Sequence, residues 1–373
     1  MRNRFPTRLC GPGWFRSALL RTLPAWVGAR VLVAAGFAVA YLVSVSPRPL
    51  TLDQGLLSWD ASWYRWIADL GYGDAPDGAI RFFPLLPLFG RWLGLLTAGR
   101  TDISLVIITS LVALLATIAL HELIRFELTD SAARLSVWIF SLFPTAFVLV
   151  APYTEGLLVL FGSCYALALR QRRPELAIVF GLLAGLSRPL GALLVVFALA
   201  ELFGRRDRAS SPQASPPEIV AALAPAIGVA LFAAWAQLAG HGFFAPFDAQ
   251  RELRGSFRDP LSRFIEAIWN GAGGDMTELL HALATVGFGL LVLLLWRRDL
   301  RPYAIYAGVG LLVAISSSNL NSLIRYGHGM FPFTIGLVIV LGDRRIARRV
   351  ALVAAAISVV AFTAAILNQR YVP

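Results

Sequence analysis

The chain has 373 residues, of which 57% are hydrophobic and only 15% are charged. A soluble domain of this length needs far more polar surface, so the composition excludes that class and indicates a polytopic membrane protein. The formal net charge is +11, and all 33 basic side chains are arginine. Because most of these arginines lie in short loops between apolar runs, they indicate membrane orientation and contact with anionic lipid rather than nucleic-acid binding.

Apolar runs recur along the whole chain, and crossing a bilayer takes about 20 such residues. The sequence therefore predicts an all-α polytopic membrane protein with about eleven transmembrane helices. Residues 1–24 are expected to form a retained, basic cytoplasmic tail, and residues 25–373 a single transmembrane domain. The predicted spans are residues 25–45, 102–124, 132–150, 154–169, 176–187, 190–203, 218–239, 277–296, 302–316, 326–342 and 347–367.

The arginine clusters orient these spans. With the tail inside, alternation of the spans places every dense arginine cluster in the cytoplasm, as the positive-inside rule requires. The arginine-, serine- and proline-rich segment 204–217 becomes a flexible cytoplasmic loop. Three loops fall outside the cytoplasm: residues 46–101, 240–276 and 317–325.

Two segments need a special interpretation for this topology to hold. Residues 82–98 carry Pro84, Pro87 and Arg91, so we expect them to lie in the membrane interface rather than to span. Residues 176–203 have basic flanks on both sides and are interpreted as a hairpin of two short halves. Its apex, residues 187–191, would line a cavity within the membrane, where broken helices are tolerated. The alternative is one long helix that passes through Pro189.

The most informative residue of the first outer loop is Asp60, which follows Trp59 and precedes a tryptophan-rich amphipathic segment, residues 61–70. Such a helix lies in the interface plane, where tryptophan is preferred. A carboxylate fixed there can deprotonate an acceptor hydroxyl while a lipid-borne substrate lies alongside in the bilayer. The alternative is that Asp60 only caps the helix.

Three charged residues at the expected depth of the membrane are further candidates for functional residues. Glu155 is a second acid, since an acid there is functional by default, although it could equally cap the following helix. Arg188 and Arg325 are candidates for binding a phosphate, because the planar guanidinium suits that group. For Arg188, bonding to helix-end carbonyls is the competing interpretation. His328 is as consistent with a plain interface position.

We expect no cofactor. The loop acids Asp53, Asp69, Asp74 and Asp77 leave a divalent metal open, since oxygen ligands suit magnesium or manganese, but nothing in their spacing demands one. Cys10 and Cys164 lie in the tail and in an apolar helix and indicate neither a disulfide nor a metal site.

The chemistry that these groups allow is glycosyl transfer. A sugar on a polyprenyl phosphate already has a good leaving group, so one base and a phosphate-stabilising arginine are sufficient. Direct displacement of this kind inverts the anomeric centre, unlike the route through two close carboxylates. The candidate substrate-binding residues are Trp59, Tyr64, Tyr72, Tyr153, Gln250 and Tyr326.

These motifs resemble those of the PIG-V-like mannosyltransferases, which are related to GPI mannosyltransferase 2 within the GT-C class of membrane glycosyltransferases. The resemblance rests on Trp59-Asp60-Ala61, Tyr64, Gly71-Tyr72, Phe82-Phe83-Pro84-Leu85-Leu86-Pro87, Tyr153-Thr154-Glu155, Ser187-Arg188-Pro189-Leu190-Gly191, Ala249-Gln250 and Arg325-Tyr326.

The resemblance implies a GT-C-like bundle, a polyprenyl-phosphate-mannose donor, transfer outside the cytoplasm and a catalytic acid at Asp60. The arginine bias and compact length indicate a bacterial inner (plasma) membrane, so the acceptor stays open among a lipid, a glycan or a protein. Two rival interpretations are a transporter or flippase of a lipid-linked sugar, which also uses broken helices, and a non-catalytic scaffold of a glycan-assembly complex.

Overall fold

A computed structural model of the protein describes residues 14–43, 53, 55–206 and 214–368. These residues are almost entirely helical, and their only β-type pairing is an isolated bridge between Phe257 and Ser317. The all-α fold is therefore confirmed. The helices are α1 Trp14–Val43, α2 Asp60–Leu70, α3 Leu85–Gly94, α4 Thr101–Glu127, α5 Asp130–Ser141, α6 Glu155–Arg170, α7 Pro174–Ser187, α8 Leu194–Arg206, α9 Pro216–Leu238, α10 Ala245–Arg254, α11 Pro260–Ala272, α12 Met276–Arg297, α13 Arg301–Ile315, α14 Leu323–Gly329, α15 Phe331–Leu341 and α16 Arg345–Leu367. Short 3₁₀ helices lie at Ala79–Arg81, Ala146–Leu149 and Pro189–Leu193.

Five of these helices are long and apolar enough to cross a bilayer: α1, α4, α9, α12 and α16. The pair α14 and α15 would add a sixth if the two form one broken span. The protein is thus a multi-pass membrane protein. The count of about eleven spans stays a prediction, because the remaining predicted spans contain shorter helices.

Two of the predicted spans are not continuous helices, and proline explains both breaks. Within 132–150, α5 ends at Ser141, just before Phe143-Pro144, because the residue ahead of a proline is disfavoured in helical geometry. Within 326–342 the chain bends by 86° between α14 and α15. Pro332 occupies the first turn of α15, where proline starts a helix rather than continuing one.

The predicted start of the first span was also late. Helix α1 begins at Trp14, within the predicted tail, and contains Pro24. Residues 1–13, 44–52, 54, 207–213 and 369–373 lie outside the described residues, and they include half of the predicted cytoplasmic loop 204–217 and part of the predicted outer loop 46–101.

The segment 176–203 is a hairpin. Helix α7 ends at Ser187, Arg188 is extended, and the chain continues through the 3₁₀ turn into α8. Arg170, which precedes α7, donates from Nη1 to Glu201 near the end of α8 at 3.0 Å. One continuous helix would hold these two residues about 46 Å apart at 1.5 Å per residue. The chain therefore reverses at Arg188.

Small residues and a buried ion-pair cluster fix this hairpin at its two ends. Near the apex, α7 crosses α9 at Gly185 and Gly228, so closely that a Cβ at either position would overlap backbone atoms of the other helix. Such glycine contacts are the usual means of close helix approach in membranes. At the far end, Glu127 accepts from both Arg170 and Tyr303. The hairpin is thus held in position at both of its ends.

The two helices of the first outer loop place an acid-bearing segment against the bundle. Helix α2 buries Ala61, Tyr64, Ile67 and Ala68. Trp66 is 37% exposed on the opposite side, whereas Trp63 packs against Phe82 and lines the cavity described below. This division between a packed face and an exposed side that carries Trp66 is the pattern of an interfacial helix.

Candidate active site

The outer-loop segments and the hairpin apex enclose a cavity of about 460 Å³. Its walls come from the first outer loop, the apex, α10 and the residues around α14, which are far apart in the sequence. Seven of the predicted site residues line it: Trp59, Asp60, Tyr64, Arg188, Gln250, Arg325 and Tyr326. The structure brings these seven together, and the roles assigned to them stay predictions.

Asp60 is the first residue of α2 and is held from the opposite side of the cavity. Its Oδ2 accepts a hydrogen bond from Arg325 Nη1 at 2.6 Å. The N-cap position belongs to Trp59, which makes no capping hydrogen bond. The positive N-terminal end of the helix dipole still stabilises the negative charge of Asp60. With its side chain 30% exposed, the carboxylate is accessible from the cavity.

The backbone of Trp59 determines the direction in which helix α2 begins. Its backbone has φ = 58°, a left-handed region that costs a residue with a side chain about 1–3 kcal/mol. The indole Nε1 donates to the carbonyl of Ile366 in α16 at 3.0 Å. This contact ties the start of α2 to the last helix and compensates part of the strain.

Glu155 lies beneath the cavity, only 2% exposed, at the first position of α6. Its Oε1 is 2.9 Å from Arg188 Nη1 and 3.4 Å from Arg325 Nε. Asp60, Arg325, Glu155 and Arg188 therefore form one continuous chain of alternating charge. The two carboxylates balance the two guanidinium groups within it.

Tyr326 forms an aromatic surface for three arginines. The guanidinium carbons of Arg254, Arg188 and Arg325 lie 4.4, 5.3 and 5.8 Å from its ring centre. Arg254 also donates to the Tyr326 hydroxyl. Across the cavity, the Tyr64 hydroxyl is 3.1 Å from Thr154 Oγ1. Burial raises the pKa of the Tyr64 phenol, so this side chain is neutral and acts only through hydrogen bonds.

Two predicted substrate-binding tyrosines do not line this cavity. Tyr72 donates to the Phe82 carbonyl at 2.6 Å and lines a separate, apolar cavity of about 420 Å³ beside Trp235. Tyr153 is buried, with the Arg325 guanidinium 5.1 Å from its ring centre. His328 is also buried rather than interfacial, with Nε2 2.9 Å from the Phe140 carbonyl.

Sequence reasoning missed two arginines of the cavity, Arg81 and Arg254, and the polar residues Asn319 and Asn321. Arg254 follows Gln250 by four residues on α10, a spacing that puts both on one helix face. Arg81 directly precedes Phe82-Phe83-Pro84. The sequence contained both signals, but it did not show that the segment ending at Arg81 contacts α10.

The described residues that line the cavity differ from a typical divalent-cation site. Within the residues that the structure describes, no group of three or more histidine, cysteine, aspartate or glutamate side chains could hold a metal ion. Of the described residues that line the cavity, four are arginines and one, Asp60, carries a carboxylate. Hard divalent cations take several oxygen ligands, whereas this excess of positive charge suits an anion.

The helical bundle, its broken helices and the cavity can be compared with membrane proteins of known structure. The fold is similar to that of the Archaeoglobus fulgidus oligosaccharyltransferase. Against the crystal structure of that protein tethered with an acceptor peptide, the TM-score is 0.51 at 15% identity, with 94% of this chain and 55% of that chain covered. Against its apo form the TM-score is 0.50 at 15% identity, with 96% and 57% covered.

This chain thus spans a little over half the length of that oligosaccharyltransferase. At such low identity the likeness shows the fold alone. No protein-family model and no curated protein sequence matches the chain.

Proposed function

We propose that this protein is a glycosyltransferase that moves a sugar from a polyprenyl-phosphate donor to an acceptor hydroxyl outside the cytoplasm. The observation that carries the proposal is the cavity itself, in which one accessible carboxylate, Asp60, faces a wall of arginines. The carboxylate supplies a base, and the arginines supply charge for a phosphate leaving group. The GT-C-like fold supports the same reaction class.

In this reaction Asp60 takes the proton of the acceptor hydroxyl, and the acceptor oxygen attacks the anomeric carbon. The bond from that carbon to the phosphate oxygen breaks, and its electron pair leaves with the phosphate. Arg325 holds Oδ2 of Asp60, and no protein group among the described residues donates to Oδ1. Oδ1 is therefore the oxygen that takes the proton. One displacement inverts the anomeric centre.

The finer proposal is a PIG-V-like mannosyltransferase of a bacterial inner membrane, with a polyprenyl-phosphate-mannose donor and a lipid, glycan or protein acceptor. It is supported by the resemblance of Trp59-Asp60-Ala61 and Phe82-Phe83-Pro84 to that family. We propose that Arg188 and Arg325 act at the phosphate side of the cavity. Glu155 and Asp60 already balance the charges of these two arginines. The arginines therefore also orient the base and the apex.

The test is transfer of labelled mannose from polyprenyl-phosphate-mannose into lipid, polymer and protein fractions, with Asp60→Asn compared against wild type. The asparagine keeps the shape of the side chain but cannot take the proton, so we expect transfer to fall by about 10²- to 10⁴-fold. The matched control is Asp74→Asn, an exposed acid of the same loop, which should transfer at the wild-type rate. Wild-type activity in a folded Asp60→Asn variant would remove Asp60 as the base.

A further inference from the structure

The charges around the cavity do not cancel. Arg188 and Arg325 are matched by Glu155 and Asp60 through ion pairs of 2.9 and 2.6 Å. Arg81 and Arg254 also line the cavity, and neither has an acidic partner within 4.0 Å among the described residues. About two positive charges therefore lack a counter-charge, which an anion that enters the cavity would supply.

Aromatic rings rather than carboxylates hold these two arginines. The Arg81 guanidinium carbon lies 4.6 Å from the ring centre of Trp63, and that of Arg254 lies 4.4 Å from the ring centre of Tyr326. Such stacking fixes the plane of a guanidinium while leaving its charge uncompensated. The Nε atoms of both arginines are buried and have no hydrogen-bond acceptor.

Both arginines line the cavity from elements that pack against each other. The 3₁₀ turn Ala79–Arg81 packs against α10, and Arg81 and Arg254 are the last residues of these two elements. Two fixed, unpaired guanidinium groups on adjacent segments form the arrangement that binds a phosphate group.

We propose that Arg81 and Arg254 bind the phosphate of the lipid donor and stabilise the charge that it acquires as the sugar leaves. The proposal rests on the function proposed above. The donor phosphodiester carries a charge of about −1, and the departing phosphate monoester about −2 at neutral pH. The electron pair of the broken carbon–oxygen bond thus arrives beside two uncompensated positive charges, which favours the transition state over the bound donor.

The test is binding of farnesyl phosphate to the purified full-length protein in detergent, measured by titration calorimetry for wild type, Arg81→Gln and Arg254→Gln. We expect each substitution to weaken binding at least tenfold. The matched control is Arg251→Gln, on the same helix as Arg254, because Arg251 is exposed and paired with Asp248. Its affinity should equal that of wild type. Farnesol, which lacks the phosphate, should bind all four proteins equally, and inorganic phosphate reports how much affinity the lipid contributes.

Unchanged affinity for farnesyl phosphate in both Arg81→Gln and Arg254→Gln would overturn the proposal, as would a wild type that does not bind it. A parallel loss of farnesol binding would also overturn it, because the arginines would then shape the cavity instead of binding phosphate. The outcome is separate from that of the transfer assay. Binding that depends on both arginines without any sugar transfer would refute the glycosyltransferase and leave a lipid-phosphate site.

Discussion

Asp60 is positioned by contacts that reach across the whole bundle. The indole of Trp59 is bonded to α16, the carboxylate of Asp60 to Arg325 of α14, and Arg325 in turn approaches Glu155 of α6. Each contact joins segments that are remote in sequence. If Asp60 is the proposed base, a carboxylate fixed in this way need not reorganise when an acceptor hydroxyl arrives, which is the condition for efficient proton transfer.

The buried carboxylate of Glu155 should contribute strongly to stability. It contacts two guanidinium groups that are themselves only 12% and 13% exposed. Glu155→Gln leaves Arg188 without its counter-charge and Arg325 with Asp60 alone, and breaking such a buried pair costs about 3–5 kcal/mol. We expect a clear fall in the melting temperature of the detergent-solubilised protein, measured by intrinsic fluorescence.

The control for Glu155→Gln is Asp248→Asn, which removes one partner of an exposed ion pair with Arg251. Surface pairs contribute about 0–1 kcal/mol, so its melting temperature should stay close to that of wild type. Equal melting temperatures for both variants would show that solvent, rather than Glu155, stabilises the charges of the neighbouring arginines.

At the scale of single residues, the sequence was informative where a charge interrupts an apolar or aromatic run. Asp60, Arg188 and Arg325 were found in this way, and all three line the cavity. Arg81 ends a 3₁₀ turn and Arg254 ends the polar helix α10, and their sequence signals, the position ahead of Phe82 and the four-residue spacing from Gln250, are too weak to single them out. Only the packing of the 3₁₀ turn against α10 reveals them, and that contact cannot be read from local patterns.

Breaks in helices determine where several polar side chains that line the cavity lie. The chain is interrupted at Arg188, ahead of Pro189, and at Met330, ahead of Pro332. These interruptions leave Arg188 at a turn, and Arg325 and Tyr326 on the short helix α14. Hydrophobicity alone predicted 326–342 as one span because it registers apolar content and not the geometry that proline imposes. The hairpin was predicted because its basic flanks required the chain to return.

The crossing of α7 and α9 should control where the hairpin apex lies. Gly185→Ala places a methyl group against the backbone of Pro225 and Val229, and overpacking of this kind costs about 1–3 kcal/mol. We expect a lower melting temperature, measured in the same detergent, and reduced transfer activity, because Arg188 lies three residues beyond the crossing.

The control for this crossing is Gly287→Ala on α12, where an added Cβ meets nothing within 4 Å. Glycine is disfavoured in a helix by about 1 kcal/mol relative to alanine, so this variant should be unaffected or slightly stabilised. The explanation by close packing would fail if the two alanine variants behaved alike.

At the scale of the whole molecule, the two ends of the bundle differ in chemistry. One end carries the cavity with Asp60 and the apex Arg188. The other carries the buried cluster of Glu127, Arg170 and Glu201. Helix α7 separates them, since Arg170 precedes it and Arg188 follows it. The cavity and the buried ion-pair cluster thus lie at opposite ends of the same short helix.

This polarity predicts which end faces the cytoplasm. Asp74 lies in the cavity-side loop, and Asp343 lies beside the arginines of the α15–α16 connection; both are exposed. The positive-inside rule places Asp343 in the cytoplasm and Asp74 outside. In a background with Cys10→Ser and Cys164→Ser, a membrane-impermeant maleimide should label Asp74→Cys in intact cells and Asp343→Cys only after permeabilisation. The cysteine-free parent controls for background. Labelling of Asp343→Cys in intact cells would reverse the orientation and put the cavity on the cytoplasmic side, where a nucleotide sugar rather than a lipid-linked one would be the expected donor.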